Sequence, residues 1–229
     1  MSFDARSLLS AGAVLCWILA AVIELLALRT TRLRASPDHW ALGLVAKGAG
    51  LYLIAQRGLI EDLWSIALAN ALLMVGPLFF YSALQRIRGA ITSRLLIAVM
   101  PVCTAIVLPL IGFSPEAFQT RVLVIVCAWI FGFSLACWSA YQIARSGYVA
   151  GAVLILVSNA VMAVLAIAFT IAVAANEVIG VFTGSDVQIA FYAATDACTV
   201  LGTWGYLHIL RVARTQLRHF DDPGSAAPT

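Results

Sequence analysis

Residues 149–175 read VAGAVLILVSNAVMAVLAIAFTIAVAA, an apolar run without one ionisable side chain. A helix rises about 1.5 Å per residue, and about 20 apolar residues cross the hydrocarbon core of a bilayer. The stretch is therefore long enough to span. It lacks the polar–apolar alternation of a barrel strand. Backbone in hydrocarbon must bond to itself, and a continuous run does so as a helix.

Working outward, six more runs of this kind appear, at 8–28, 40–57, 63–85, 94–112, 121–144 and 188–210. The run at 40–57 is the shortest and least apolar, because it carries Lys47 and three glycines. The segments between runs, RTTRLRASPDH, GLIED, RIRGAITS, FSPEAFQT, RSGY and NEVIGVFTGSD, hold charges and turn residues. The first run is too long for the apolar region of a signal peptide and ends on Arg29, Arg32 and Arg34, a stop-transfer pattern. The expected fold is an all-α integral membrane protein, a seven-transmembrane-helix bundle over 1–212 with a cytoplasmic tail at 213–229.

Composition agrees with burial in lipid. Of 229 residues, 62% are hydrophobic and 11% charged, with mean hydropathy +0.98, whereas soluble domains are nearer half apolar and a quarter charged. The formal net charge of +3 forms no basic face, which argues against nucleic acid as a partner. Arginine placement sets the orientation. With the amino end outside and the carboxyl end cytoplasmic, inner segments hold Arg29, Arg32, Arg34, Arg86, Arg88, Arg94, Arg145, Arg211, Arg214 and Arg218. Outer segments hold only Arg6, Arg57 and Arg121. This bias is the positive-inside pattern, and removing one span would scramble it. The expected location is a bacterial inner membrane, with the bilayer as the principal partner and a homodimer as a further expectation.

Two packing signals follow. Ala128, Gly132, Ala136 and Ala140 recur every fourth residue, a small-residue stripe that lets a neighbouring helix approach. Pro77, Pro101 and Pro109 each remove a helical hydrogen bond inside a span.

Ionisable and polar groups within spans mark candidate sites. Glu24 lies one turn from the inner end of the first span and Lys47 about two turns into the second, so an intramembrane Glu24–Lys47 ion pair is expected to lock these helices. Asp196 lies about two turns into the last span, with no cation at an obvious matching depth. Asp196, Asn70, Tyr192, Thr195 and Thr199 are expected to form an outward-opening polar pocket, with Asn159 nearer the midplane. These are the candidate ligand or signal residues.

Cofactor chemistry finds little footing. His39, His208 and His219 offer no bis-histidine haem geometry, and the single lysine is on the second span rather than the last, where retinal would need it. Cys16, Cys103, Cys127, Cys137 and Cys198 lie in apolar runs without C-x-x-C spacing and read as small apolar residues. Neither H-E-x-x-H, nor G-x-S-x-G, nor a phosphate-cradling glycine loop is present. The expectation is a non-enzymatic protein without a metal or cofactor.

One stretch is more specific. Residues 39–89 read HWALGLVAKGAGLYLIAQRGLIEDLWSIALANALLMVGPLFFYSALQRIRG. This resembles the membrane sensor region ahead of bacterial diguanylate cyclases and some histidine kinases. In those regions a Trp opens the second span, a glycine-rich helix ends near Arg-Gly, and an Asn followed by a Gly lies in the third. Trp40, Gly43, Gly50, Arg57, Gly58, Asn70, Gly76, Ala83, Arg86 and Gly89 match in order over about a quarter of the chain. The resemblance implies a sensory input module that relays a signal to a cytoplasmic output. After HILRVARTQLRHF, however, DDPGSAAPT brings a Pro-Gly breaker, with no GGDEF motif, kinase histidine box or sustained heptad. The expected output is a cyclase or kinase partner acting in trans, or a domain beyond Thr229. The alternative is a small transporter, channel or accessory membrane subunit.

Overall fold

The computed structural model describes residues 4–27, 35–176, 178, 182 and 186–221, with side chains described as far as Thr215. Arg29, Arg32, Arg34, Glu177 and residues 222–229 lie outside the described residues, as do the side chains of Leu217, Arg218 and His219. The described elements are all helical, apart from an isolated bridge between Arg57 and Ile60. In order come α1 (Ala5–Ala27), α2 (Ala35–Ala55), α3 (Ala69–Ile87), α4 (Arg94–Ile111), α5 (Phe118–Arg145), α6 (Val149–Ala174) and α7 (Asp186–Asp221). A π-helical turn, Leu63–Leu68, leads into α3, and a 3-10 turn, Pro115–Ala117, leads into α5.

Five of these elements are long and apolar enough to cross a membrane: α1, α3 with its π turn, α4, α5 and α6. The chain is thus a multi-pass helical membrane protein. Its apolar surface points outward as lipid requires, with Leu110 80% and Trp204 66% exposed. Asp4 caps α1, its Oδ1 accepting from Ser7 N at 2.6 Å, and the Ser7 hydrogen bonds hold this carboxyl below its usual pKa.

Helix α2 starts at Ala35, five residues before the expected boundary at 40. Ser36-Pro37-Asp38 looks like a loop, but proline fits the first helical turn, where its missing N–H costs nothing. Ser36 Oγ then donates to Ala83 O at 2.8 Å and lies 2.8 Å from Tyr206 Oη. The start of α2 is thereby tied to both α3 and α7.

Six helices close a ring in the order α1–α2–α3–α5–α6–α7 and back to α1, and α4 packs outside it against α3. Glycines make the tight crossings. A Cβ on Gly43 would stand 3.0 Å from Gly76 O, and one on Gly50 2.7 Å from Ala69 O. The small-residue stripe of α5 faces α3. There a Cβ on Gly132 would meet Met74 and Pro77 at 3.0 Å, and Ala136 and Ala140 are fully buried. Gly89 ends α3 at φ +74, a left-handed conformation that glycine adopts without strain, while Ala90 N reaches back to Gln85 O at 2.9 Å.

The two ends of the ring differ in charge. Arg86 and Arg88 close α3, Arg145 closes α5, and Arg211 and Arg214 lie in the final turns of α7. These ends share one side, where Arg88 donates to Gln85 and Gln142 and Arg214 Nη2 donates to Leu26 O at 2.8 Å. On the other side Arg6 Nη2 donates to Arg57 O at 3.0 Å.

Candidate functional site

Among the ring helices lies a partly open cavity of about 160 Å³. Its wall is built from α2, α3, α5, α6 and α7, with Leu9 of α1. Five of the sequence-expected candidates, Asn70, Tyr192, Thr195, Thr199 and Asn159, stand in this wall. Local folding places them. Thr195 and Thr199 lie one turn apart on the inward stripe of α7, and Asn70 follows the π turn, whose wider coil brings Ser65 and Ile66 to the same wall.

Four of these polar side chains bond to a carbonyl of their own helix. Asn70 Nδ2 donates to Ile66 O at 2.7 Å, and Asn159 Nδ2 to Ile155 O at 2.8 Å. Thr195 Oγ1 donates to Phe191 O and Thr199 Oγ1 to Thr195 O, both at 2.8 Å. Such back-bonding makes these residues inexpensive to hold in an apolar wall.

Asp196 is not part of that wall. It lies on the neighbouring face of α7 against Gly12 of α1, where a Cβ would collide with the carboxylate. Gly12 is thus the residue that lets α1 close over Asp196. The expectation that Asp196 has no cation at its depth is corrected. Lys47 lies within its electrostatic reach, and Lys47 Nζ donates to Thr199 Oγ1.

The expected Glu24–Lys47 pair is corrected for the same reason. With α2 starting at Ala35, Lys47 is twelve residues along it, about 18 Å from that end. Glu24 is three residues, about 4.5 Å, from the end of α1 at Ala27. Gly48 packs beside Ala13 and Trp17, which places Lys47 roughly level with the middle of α1. Lys47 turns its ammonium toward α7, and the residue lines the cavity.

Several lining residues were not expected as site residues. Arg57 and Arg121 read as loop cations, yet both line the cavity at the end away from the arginine-rich side. Arg121 is 2% exposed and spends Nη1 on Gly112 O and Ser114 O. Arg57 Nε lies 3.9 Å from Asp62 Oδ1. An arginine at the edge of an apolar run was the one available signal, and it reads equally well as a solvated loop.

The walls are aromatic, with Phe191 stacked on Phe169 at 4.7 Å between ring centroids and Trp129 beside it at 6.4 Å. The floor is Trp40, sandwiched between Phe80 at 4.5 Å and Tyr206 at 4.1 Å, its ring within 9° of parallel to Tyr206. Trp40 Nε1 donates to Thr203 Oγ1 at 3.4 Å. Comparison with protein families, curated proteins and solved structures finds no match. Chemically the site is an oily, aromatic pocket with cations in its wall and no carboxylate among its described lining residues.

Proposed function

We propose that this protein is a non-enzymatic signal-input module of seven membrane spans, amino end outside and carboxyl end cytoplasmic, in a bacterial inner membrane. Occupancy of the cavity is the signal, and α7 carries it to a cytoplasmic partner of cyclase or kinase type. The observation that carries this reading is the contact of the cavity floor with α7. Trp40 lies flat on Tyr206, and α7 runs on from there to Asp221. A ligand that displaces Trp40 has a direct mechanical path through α7 to the far end of that helix, and the signal is a shift of α7 between two arrangements. The resemblance of residues 39–89 to bacterial sensor regions points the same way, and so does the gathering of arginines at one end of the ring.

For topology, a fluorescent reporter fused after Thr229 is expected to light up in the cytoplasm, and alkaline phosphatase inserted at Ser114 is expected to be active outside. Activity on the opposite sides would overturn the orientation.

The signalling role is tested without knowing the natural ligand. Cys198→Phe and Asn159→Phe each push a ring into the cavity from its own wall and so imitate occupancy. In nanodiscs, each is expected to change amide hydrogen exchange across residues 207–221 relative to the unmodified chain. In proteoliposomes, the unmodified chain is expected to give no flux of chloride, acetate or hexanoate above that of empty vesicles. Unchanged exchange in both variants removes the sensor reading, and protein-dependent flux replaces it with a transporter.

A further inference from the structure

The cavity has a charge asymmetry and a shape that together name a ligand class. Trp40 and Ile54 both line it from α2 and are separated by fourteen residues, about 21 Å along the helix. An apolar cavity of about 150 Å³ admits a benzene ring when it is compact. Here about 160 Å³ is drawn out over that length, which makes a narrow slot suited to an alkyl chain rather than a ring system. Its middle is lined by Leu51, Leu73, Val126, Met162 and Lys47.

At one end stand Arg57 and Arg121, with no carboxylate among the described lining residues. Lys47 is balanced by Asp196 behind the wall, and Arg57 has Asp62 at 3.9 Å. Arg121, 2% exposed, donates through Nη1 to two neutral backbone carbonyls and has the same Asp62 within its electrostatic reach. Two guanidinium groups that share one carboxylate leave a net positive charge at this end of the cavity, a costly arrangement that an anion relieves.

We infer that the slot binds a single-chain amphipathic carboxylate, its head group on the Arg57–Arg121 pair and its alkyl chain running past Lys47 toward Trp40. The inference rests on the reading of the cavity as the signal site. The guanidinium fork matches a carboxylate, and the chain end meets the Trp40–Tyr206 floor, so chain length sets how hard the floor is pressed. Such an acid reaches the slot either from water, if short, or from the bilayer, if long.

The test uses the full chain in nanodiscs. Binding of octanoate and of hexadecanoate is measured by native mass spectrometry, with dodecanol and dodecyltrimethylammonium as uncharged and cationic comparisons. Saturable binding of one equivalent of either acid, with tenfold or greater preference over both comparisons, is expected. Octanoate as the better ligand marks a water-borne acid, and hexadecanoate a bilayer-borne one. Arg121→Gln and Arg57→Gln are each expected to weaken binding tenfold or more, Arg121→Lys to recover part of it, and Arg94→Gln to leave it unchanged. Because Arg121→Gln risks misfolding the turn it anchors, Cys198→Phe serves as a second variant. It blocks the slot without touching either arginine and is expected to weaken hexadecanoate more than octanoate.

Equal binding of acid and alcohol, or no binding of either acid, overturns the inference. The two proposals fail separately. If the acids bind but exchange at 207–221 never changes, the ligand stands and the sensor falls. If the ring-filling variants shift exchange while no acid binds, the sensor stands and this ligand falls.

Discussion

Trp40→Ala is expected to destabilise the folded chain by about 3 kcal/mol, the lower end of what truncating a buried Trp costs. The lower end applies because part of the usual penalty is lost transfer out of water, and a residue whose alternative surroundings are lipid tails loses little of that. What remains is contact. Trp40 is 2% exposed and packs face to face on Tyr206 and Phe80, and its Nε1–H reaches Thr203. Removing the indole deletes those dispersion contacts outright and leaves a void that the fully buried neighbours Leu44 and Ile209 cannot fill without leaving their rotamers. Unfolding in mixed detergent measures the loss, and a change below about 1 kcal/mol would show that the stack contributes little. The same substitution separates stability from coupling. Adding Cys198→Phe to Trp40→Ala is expected to leave residues 207–221 at the exchange of Trp40→Ala alone, because the ring then presses on empty space.

How far this arrangement could be read from sequence depends on which physical term sets each feature. The run at 149–175 is a helix by solvation alone, so α6 ends within one residue of its expected boundary. The start of α2 is set by local chemistry instead. Ser36-Pro37-Asp38 suits a loop and a first helical turn equally, and the difference of five residues moved Lys47 from the level of Glu24 to that of Asp196. Ring order lies in the packing of small residues. Hydropathy sees α4 and α6 as alike, yet only Pro101, Thr104 and Leu108 of α4 are buried, and the ring passes from α3 directly to α5.

The candidate site divides in the same way. Asn70, Asn159, Thr195 and Thr199 stand out as polar residues in oily runs, and the fold gathers them into one wall. Arg57 and Arg121 do not stand out, because a long guanidinium near a span end can reach either water or the core. The side it takes depends on Gly112 O and Ser114 O, which turn Arg121 inward. A backbone carbonyl in a turn has no signature in the side-chain pattern.

The crossing of α6 and α7 makes the sharpest mutational prediction. Gly151→Val is expected to cost about 3 kcal/mol, the upper end of overpacking penalties. A Cβ at Gly151 would stand 2.5 Å from Gly205 O and 2.6 Å from Ile209 Cγ1, and one at Gly205 2.6 Å from Gly151 O. The obstacle on each side is backbone, which cannot rotate away as a side-chain end does. The only relief is separation of the two helices along the whole contact, including Gly202 against Ser158. In hydrocarbon this is severe, because close approach is itself the source of helix–helix affinity. Ala150→Val ends in the same isopropyl side chain at an exposed position one residue earlier, on a residue that already carries a Cβ, and is expected to cost almost nothing. Unfolding of the two variants side by side in mixed detergent decides the point. Similar values for Gly151→Val and Ala150→Val would mean that α6 and α7 do not meet at this crossing, and the cavity would then lack the wall that α6 and α7 form by meeting there.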